Sequence, residues 1–290
     1  MRLEVKGLGK TYANGVKALD DVSFDLEPGM FGLLGPNGAG KSTLMRTLAT
    51  LQDADRGAVT LGQVDVLRDK EAVRRTLGYL PQEFGLTPKA RAEDLLDTFA
   101  VLKGITARAD RRAVVEALLR KTNLWDVRRQ QVGGFSGGMK RRFGIAVALL
   151  GDPKLIIVDE PTAGLDPAER GRFHNLLSEI GRDAIVILST HIVEDVANLC
   201  PRVAVLFQGR IQLQGSPEEL CDRLAPRLFR KVVAHDEVAA LEAALPVISH
   251  RLRAGRHEVR VVADAAPDGF EPAPASLEDV YFAVITGRWS

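Results

Sequence analysis

A glycine-rich segment, Gly35–Ser42, has the residue types and the spacing of a loop that binds phosphate. Glycines allow such a backbone to curl, so that successive N–H groups point at phosphate oxygens. A helix that begins near Lys41 would add the partial positive charge of its N-terminus. We expect Lys41 to reach the β- and γ-phosphates of a nucleotide, and the Ser42 hydroxyl to bind Mg²⁺. The predicted nucleotide-binding residues of this loop are Gly35, Pro36, Asn37, Gly38, Ala39, Gly40, Lys41, Ser42 and Thr43.

Two carboxylates follow a short apolar run, Leu155–Val158, in the second half of the chain. A buried parallel strand delivers the residues at its carboxyl end to the edge of the sheet where ligands bind. We expect Asp159 to hold Mg²⁺ through water, and Glu160 to act as a general base on the water that attacks the γ-phosphorus. An acidic turn after an ordinary core strand would look the same in isolation. The phosphate-binding loop in the same chain favours the functional interpretation.

The pattern of apolar residues predicts an α/β fold in which the glycine-rich segment and the two carboxylates each follow a strand. Residues 1–34 and 56–82 show short β segments separated by turns, which predicts an antiparallel β subdomain near the N-terminus. Residues 88–150 have mostly helical spacing. Residues 154–215 alternate between strand and helix patterns, which predicts a parallel sheet with crossover helices.

The pattern changes after residue 215, and residues 216–290 resemble a small α+β domain. This tail contains a loop rich in Ala and Pro at 265–274 and ends in a helix at Leu277–Ile285. We therefore predict two domains, 1–215 and 216–290.

Composition narrows the class of protein. The chain has 290 residues and a net charge of +1, so no strong positive field for nucleic acid is implied. Its two cysteines, Cys200 and Cys221, form no CxxC pair, which favours two reduced thiols. No signal peptide is visible, and the apolar runs are far shorter than the roughly 20 residues of a membrane span. We expect a chain that is soluble when isolated and reaches a membrane only through a partner.

Residues 1 to about 215 carry further motifs in the order that the nucleotide-binding subunits of ABC transporters have them. This part of the chain therefore resembles those subunits, which are a P-loop NTPase family. Phe135-Ser136-Gly137-Gly138-Met139 is similar to the family signature LSGGQ, and Ala163-Gly164-Leu165-Asp166 resembles the D-loop. His191 matches the switch histidine and Gln82 the Q-loop glutamine. Tyr12 lies where the family stacks an aromatic ring on adenine.

The resemblance implies that the chain holds half of each ATP site. Ser136, Gly137 and Gly138 precede a helix, so their end of the helix can hold an anion. In the family this element closes over the γ-phosphate held by another subunit, and the helical subdomain at about 88–150 carries it. A second nucleotide-binding subunit, in a homodimer, would then complete two sites for ATP and Mg²⁺.

The resemblance also assigns roles within the site. His191 would contact the γ-phosphate and orient Glu160, Gln82 would join Ser42 and Asp159 at the metal, and Asp166 would face the nucleotide. The residues expected to act in hydrolysis are Glu160, His191, Gln82 and Lys41.

Two features depart from this pattern or allow another interpretation. Phe135 and Met139 replace the usual Leu and Gln of the signature, which predicts altered packing on the face toward the partner. The run Lys140-Arg141-Arg142 is compatible with a nucleic-acid patch, but a solvated helix face is the favoured interpretation.

The tail segment Leu277–Phe282, followed by Thr286-Gly287, resembles the C-terminal segment of bacterial exporter ATPases. Those ATPases serve separate membrane subunits that move drugs, lipids, polysaccharides or sodium. The sequence thus predicts a peripheral ATPase at the cytoplasmic face of the membrane, with Phe84 and Leu86 lining the groove for a permease. Two alternatives stay open: a soluble ABC ATPase acting on ribosomes or DNA, and an inactive regulator that only binds nucleotide.

Overall fold

A computed structural model describes residues 1–82, 84–162 and 165–289. The strands are β1 Leu3–Thr11, β2 Lys17–Leu26, β3 Gly29–Leu34, β4 Arg56–Leu61, β5 Val64–Asp65, β6 Leu77–Leu80, β7 Leu155–Asp159, β8 Ile185–Thr190, β9 Arg202–Phe207, β10 Arg210–Gly215, β11 Leu228–Val233, β12 Val247–Arg253, β13 Arg256–Val262 and β14 Glu271–Pro272. The helices are α1 Lys41–Leu48, α2 Lys70–Thr76, α3 Ala92–Leu102, α4 Arg108–Lys121, α5 Gly137–Ala148, α6 Pro167–Ile180, α7 Val193–Leu199, α8 Pro217–Leu224, α9 Val238–Ala244 and α10 Leu277–Ile285.

The central sheet has the strand order β10-β9-β3-β8-β7-β6. All neighbours from β9 to β6 pair in parallel, and only β10 is antiparallel, to β9. Every residue of β7 and β8 is buried, as expected for strands covered on both faces. The parallel register aligns Leu34 with Thr190 and Asp159 with Ser189, so three carboxyl ends meet at one edge. The predicted α/β fold with a parallel sheet is confirmed.

The N-terminal sheet has the order β2-β1-β4-β5 and is antiparallel. It packs over α1 and the central sheet, where Phe24 stacks on Phe31 with ring centroids 5.6 Å apart. Asp20 ties this sheet to β10 through Arg210, while Arg56 of β4 binds its other oxygen at 2.7 Å. This arrangement fixes the N-terminal sheet beside the edge where the three parallel strands end.

Helices α3, α4 and α5 enclose an apolar cluster of their own, with Leu96, Leu119 and Phe143 fully buried. The predicted helical region therefore stands. The expectation of β segments alone over 56–82 is wrong, because α2 lies there. Asp69 caps this helix by accepting from Ala72 N at 3.3 Å.

The tail forms a third sheet, β12-β13-β11-β14, and the final helix α10. Glu271–Pro272 pairs with β11, so the segment predicted as a loop over 265–274 contains a short strand. Arg260 donates to Glu258 at 2.9 Å and to Asp279 of α10 at 2.7 Å, which anchors the helix on its sheet. Apolar residues of α10, such as Val280, belong to the same buried cluster as the central strands, so the division after residue 215 stays a prediction.

Within the described part of the chain, no helix combines the length and the apolar character that a membrane span requires.

Candidate functional site

A cavity of about 360 Å³ opens at the edge where β3, β7 and β8 end. Its lining residues are Tyr12, Val16, Pro36, Asn37, Gly38, Gly40, Lys41, Ser42, Thr43, Gln82, Asp159, Glu160 and His191. The structure therefore brings together the loop, the acidic strand end and the histidine. Gly35 and Ala39 belong to the same loop but are buried and do not line the cavity. Ser136–Gly138 and Asp166 lie outside the cavity.

The glycine-rich loop needs glycine at defined positions. Gly38 and Gly40 have φ values of 81° and 108°, in the left-handed region that side chains rarely adopt. A Cβ on Gly40 would lie 2.3 Å from the carbonyl oxygen of Ala18, and one on Gly35 would lie 2.4 Å from that of Leu206. Gly40 is also the N-cap of α1, so the first turn of this helix starts at the cavity. Such a loop and helix start form a site for phosphate.

The Lys41 side chain is buried against this loop, with 6% of the residue exposed. Its Nζ donates to the carbonyl oxygens of Gly35 at 2.6 Å and Pro36 at 3.3 Å, and lies 3.9 Å from Glu160 Oε1. Burial lowers the pKa of the Lys41 ammonium, while Glu160 and Asp159 act in the opposite direction. The ammonium thus lies between the loop and the carboxylates, within reach of an anion bound in the cavity.

Asp159 ends β7 with 4% of its surface exposed. Burial raises the pKa of its carboxyl, and the nearby hydroxyls of Ser189 and Ser42 act in the opposite direction. Among the described residues, none hydrogen-bonds the buried Oδ1 atom of Asp159. A hard cation such as Mg²⁺ takes oxygen ligands of this kind, so Asp159 and the neighbouring Ser42 hydroxyl fit it.

Glu160 is the next residue and adopts a left-handed backbone, with φ of 48°. Its N–H donates to Ser189 O at 2.8 Å, and its Oε2 lies 2.9 Å from His191 Nδ1. Thr190 Oγ1 also approaches that oxygen, at 3.3 Å. Because β7 and β8 are neighbours, the carboxylate and the histidine meet although they are far apart in sequence.

Tyr12 lies just after β1 at the mouth of the cavity and is 38% exposed. Its hydroxyl bonds Thr43 Oγ1 at 3.0 Å and Gln52 Oε1 at 3.1 Å. Val16 lines the same rim, is 54% exposed, and was not predicted from the sequence. An apolar residue in a turn is a weak local signal, and its exposure beside Tyr12 becomes visible only in the fold.

The signature residues lie at the start of α5. Ser136 is the N-cap, and its hydroxyl accepts from Met139 N at 3.2 Å. The carboxylate of Glu169 covers this start: its Oε1 is 3.5 Å from Ser136 Oγ and would be 2.1 Å from a Cβ on Gly138. Asp166 caps α6 by accepting from Glu169 N at 2.7 Å. Ala163 and Gly164 of the predicted D-loop lie outside the described residues.

Two expectations about the signature segment are wrong. Phe135 is only 4% exposed and packs edge-on against Phe143 at 6.3 Å, so its replacement of Leu belongs to the core and not to a partner face. Arg141 is half-buried, and its guanidinium donates to the carbonyl oxygen of Gln82 at 2.8 Å. Burial lowers the pKa of the Arg141 guanidinium. Arg142 likewise donates to Asn123 O at 3.2 Å, so the expected solvated face holds for exposed Lys140 and not for the two half-buried arginines.

A glycine-rich loop follows β3, Asp159 and Glu160 lie at the carboxyl end of β7, and His191 follows β8, the strand between β3 and β7 in the sheet. This arrangement defines a P-loop nucleotide hydrolase.

Comparison with known proteins gives the family. The sequence model of the ABC transporter family matches residues 19–163. The Nod factor export ATP-binding protein I of Burkholderia pseudomallei is 34% identical, over 93% of this chain and 92% of that protein. The probable multidrug ABC transporter ATP-binding protein YbhF of Escherichia coli is also 34% identical, over 85% of this chain, but the match spans only 43% of that longer protein. The dimeric ATP-binding cassette MJ0796, in a post-hydrolysis state bound to ADP and Pi, superposes with a TM-score of 0.67 at 25% identity, over 74% of this chain and 98% of that one.

The chain belongs to the ABC transporter ATP-binding family, whose members hydrolyse ATP to power transport, and it is an ATP-binding subunit of this kind. The alternative of an ATPase acting on ribosomes or DNA receives no support from these matches.

Proposed function

We propose that this chain is the ATP-hydrolysing subunit of a bacterial export system and works at the cytoplasmic face of the membrane. The observation that carries the proposal is the contact of 2.9 Å between His191 and Glu160 in the cavity that also holds Lys41 and Asp159. A general base must lie within hydrogen-bond reach of its orienting group, and this pair meets that condition.

In this proposal the loop and Lys41 bind the phosphates of ATP, while Tyr12 supports the adenine at the rim. Glu160 accepts a proton from the attacking water, and His191 holds the carboxylate in position and donates to the γ-phosphate. Lys41 neutralises charge on the phosphates during the reaction, which is the usual role of a loop lysine.

Mg²⁺ is the second ligand that the site fits. Ser42, Gln82 and Asp159 would hold it, and the free Oδ1 of Asp159 supports this choice. The ion, when bound, neutralises charge on the β- and γ-phosphate oxygens.

A second copy of the chain is the proposed partner at the ATP site. Ser136, Gly137 and Gly138 form a helix start suited to an anion, yet they lie outside the cavity of their own chain. In a head-to-tail dimer they would face the γ-phosphate held by the partner, with Asp166 beside them. MJ0796, which was solved as a dimer with ADP and Pi, supports this arrangement.

A membrane permease is the second proposed partner. An apolar groove of about 320 Å³ lies between β6 and α3, and its rim exposes 60% of Leu51 and 76% of Leu102. Exposed apolar patches of this kind commonly mark protein interfaces. Phe84, expected at the groove, is half-buried and packs on Phe99 with ring centroids 6.4 Å apart, so it supports the helical unit.

Export as the direction of transport rests on relatives. One is named for Nod factor export, and a relative in Bacillus subtilis, 31% identical over 95% of this chain, is named for linearmycin resistance. The substrate would be selected by the permease, which forms the path.

The test is Mg-ATP turnover by the purified chain and by Glu160→Gln. We expect the variant to lose about 100-fold or more in kcat, because general-base catalysis contributes about 10²–10⁴-fold. The variant should still bind ATP and should dimerise when ATP is added, as measured by light scattering. Unchanged turnover in Glu160→Gln would overturn the proposal.

A further inference from the structure

Shortly after Glu160 and shortly after His191, the chain carries two residues that contact each other. Thr162 lies two residues after Glu160, and Asp195 lies four residues after His191, in α7. Both are buried, Thr162 with 3% and Asp195 with none of its surface exposed. The Thr162 hydroxyl donates a hydrogen bond to Asp195 Oδ2. This bond joins the segment after β7 to the helix after β8, beyond the ends of the two paired strands.

The other oxygen of the Asp195 carboxylate binds α6. Arg170 Nε donates to Asp195 Oδ1, and His174 Nε2 lies 2.9 Å from the same atom. Helix α6 begins directly after its cap, Asp166. One buried carboxylate therefore joins three segments: the chain after Glu160, the helix after His191, and the helix that follows the predicted D-loop.

The backbone of Glu160 needs such a support. A non-glycine residue in the left-handed region persists only where the surrounding structure over-determines it. Upstream, Glu160 is held by β7 and by its N–H bond to Ser189 O. Downstream, the Thr162 bond to Asp195 is a buried side-chain anchor two residues away. On the other side, Thr190 Oγ1 accepts from Ile192 N at 3.0 Å and so fixes the turn that contains His191.

We infer that Thr162 and Asp195 are positioning residues that set the Glu160 carboxylate against the His191 ring, and that Arg170 links this pair to α6. None of the three lines the nucleotide cavity. Their effect is on turnover and not on ATP binding. The inference rests on the proposed role of Glu160 and His191 in hydrolysis.

The experiment compares Thr162→Val with Thr162→Ser in the full chain. Valine keeps the shape and removes the hydroxyl, while serine keeps the hydroxyl. We expect Thr162→Val to lower kcat by about 10- to 100-fold, since a displacement near 1 Å can cost about 100-fold. KM and the Kd for a fluorescent ATP analogue should stay within about twofold, because the substitution leaves the phosphate-binding loop unchanged. Thr162→Ser should keep most of the wild-type kcat.

A second arm uses Arg170→Met, with Arg170→Lys as its matched control, because this side chain is 26% exposed and tolerates change better than buried Thr162. Arg170→Met should lower kcat with ATP affinity unchanged.

In a Glu160→Gln background, Thr162→Val should cause no further loss of residual turnover, because groups that act as a unit are not additive. A purely structural role would lower the melting temperature without this dependence on Glu160.

The outcomes separate the two proposals. If Glu160→Gln abolishes turnover while folded Thr162→Val and Arg170→Met keep wild-type kcat, the positioning inference is overturned and the ATPase assignment stands. If Glu160→Gln leaves turnover unchanged, the assignment itself fails.

Discussion

His191 Nδ1 lies 2.9 Å from Glu160 Oε2, although the two residues follow different strands of the central sheet. The parallel register of β7 and β8 brings them together, since Asp159, the residue before Glu160, pairs with Ser189, two residues before His191. The His191 side chain remains 55% exposed while Glu160 is buried, so the histidine faces the open side of the cavity. It can therefore contact both a bound nucleotide and the buried carboxylate.

Substitution of His191 by Ala should lower kcat for ATP by about 100-fold, because the carboxylate loses the group that orients it. ATP affinity should change little, since the loop and Lys41 stay in place. Single-turnover hydrolysis and equilibrium binding of ATP measure the two effects separately. His250→Ala, which alters a histidine of the tail sheet, is the matched control and should behave as wild type.

Lys41→Met should weaken binding of ATP by about 10- to 100-fold, because a hydrogen bond to a charged group is worth about 1.5–3 kcal/mol. The Lys41 ammonium lies 2.6 Å from the carbonyl oxygen of Gly35 in the phosphate-binding loop, and it belongs to the cavity lining. Titration with a fluorescent ATP analogue checks this expectation. Lys6→Met, at an exposed position of the N-terminal sheet, should bind ATP like the wild-type chain.

Glu169→Gln should favour the ATP-driven dimer. The Glu169 carboxylate lies 3.5 Å from Ser136 Oγ, at the helix start proposed to receive the partner's γ-phosphate. A negative charge there opposes a second anion, so its removal should lower the ATP concentration at which dimers form, by a few-fold at low salt. Light scattering in the Glu160→Gln background measures the midpoint. An unchanged midpoint would show that Glu169 moves away without cost.

Stability in acid should depend on Asp20. Hydrogen bonds from Arg210 and Lys17 lower the pKa of this carboxyl from 3.8 to about 2. A depressed pKa means that the native state favours the ionised form, so the stabilising contribution is complete above pH 3.8 and is lost as the pH falls toward 2.

Asp20→Asn should therefore be less stable than the wild-type chain at pH 7, and the difference should shrink between about pH 4 and pH 2. Urea unfolding at a series of pH values measures it. Asp21→Asn, at the adjacent exposed position, is the control. A difference that does not change with pH would contradict the argument.

Local pattern was sufficient for much of the fold. The final helix was predicted at Leu277–Ile285 and has those bounds, because its apolar residues recur at helical spacing and Ser276 caps it. The buried strand expected at the apolar run Leu155–Val158 is β7, Leu155–Asp159, because a continuous apolar run that ends at two carboxylates is a clear local signal. Helix α2 was missed, since its only buried residue is Val73 and a single apolar position shows no period.

The sequence by itself indicated the chemistry of the ATP site and, apart from α2, most of the succession of strands and helices along the chain that carries it. The residues of the phosphate loop are contiguous, and their spacing is fixed by the loop's own backbone, so they are recognisable without a fold. Tertiary structure alone decided that Phe135 is in the core, that Arg141 holds the carbonyl of Gln82, and that Thr162 meets Asp195. The last two contacts join segments that are distant in sequence, and local periodicity contains no information about which segments become neighbours.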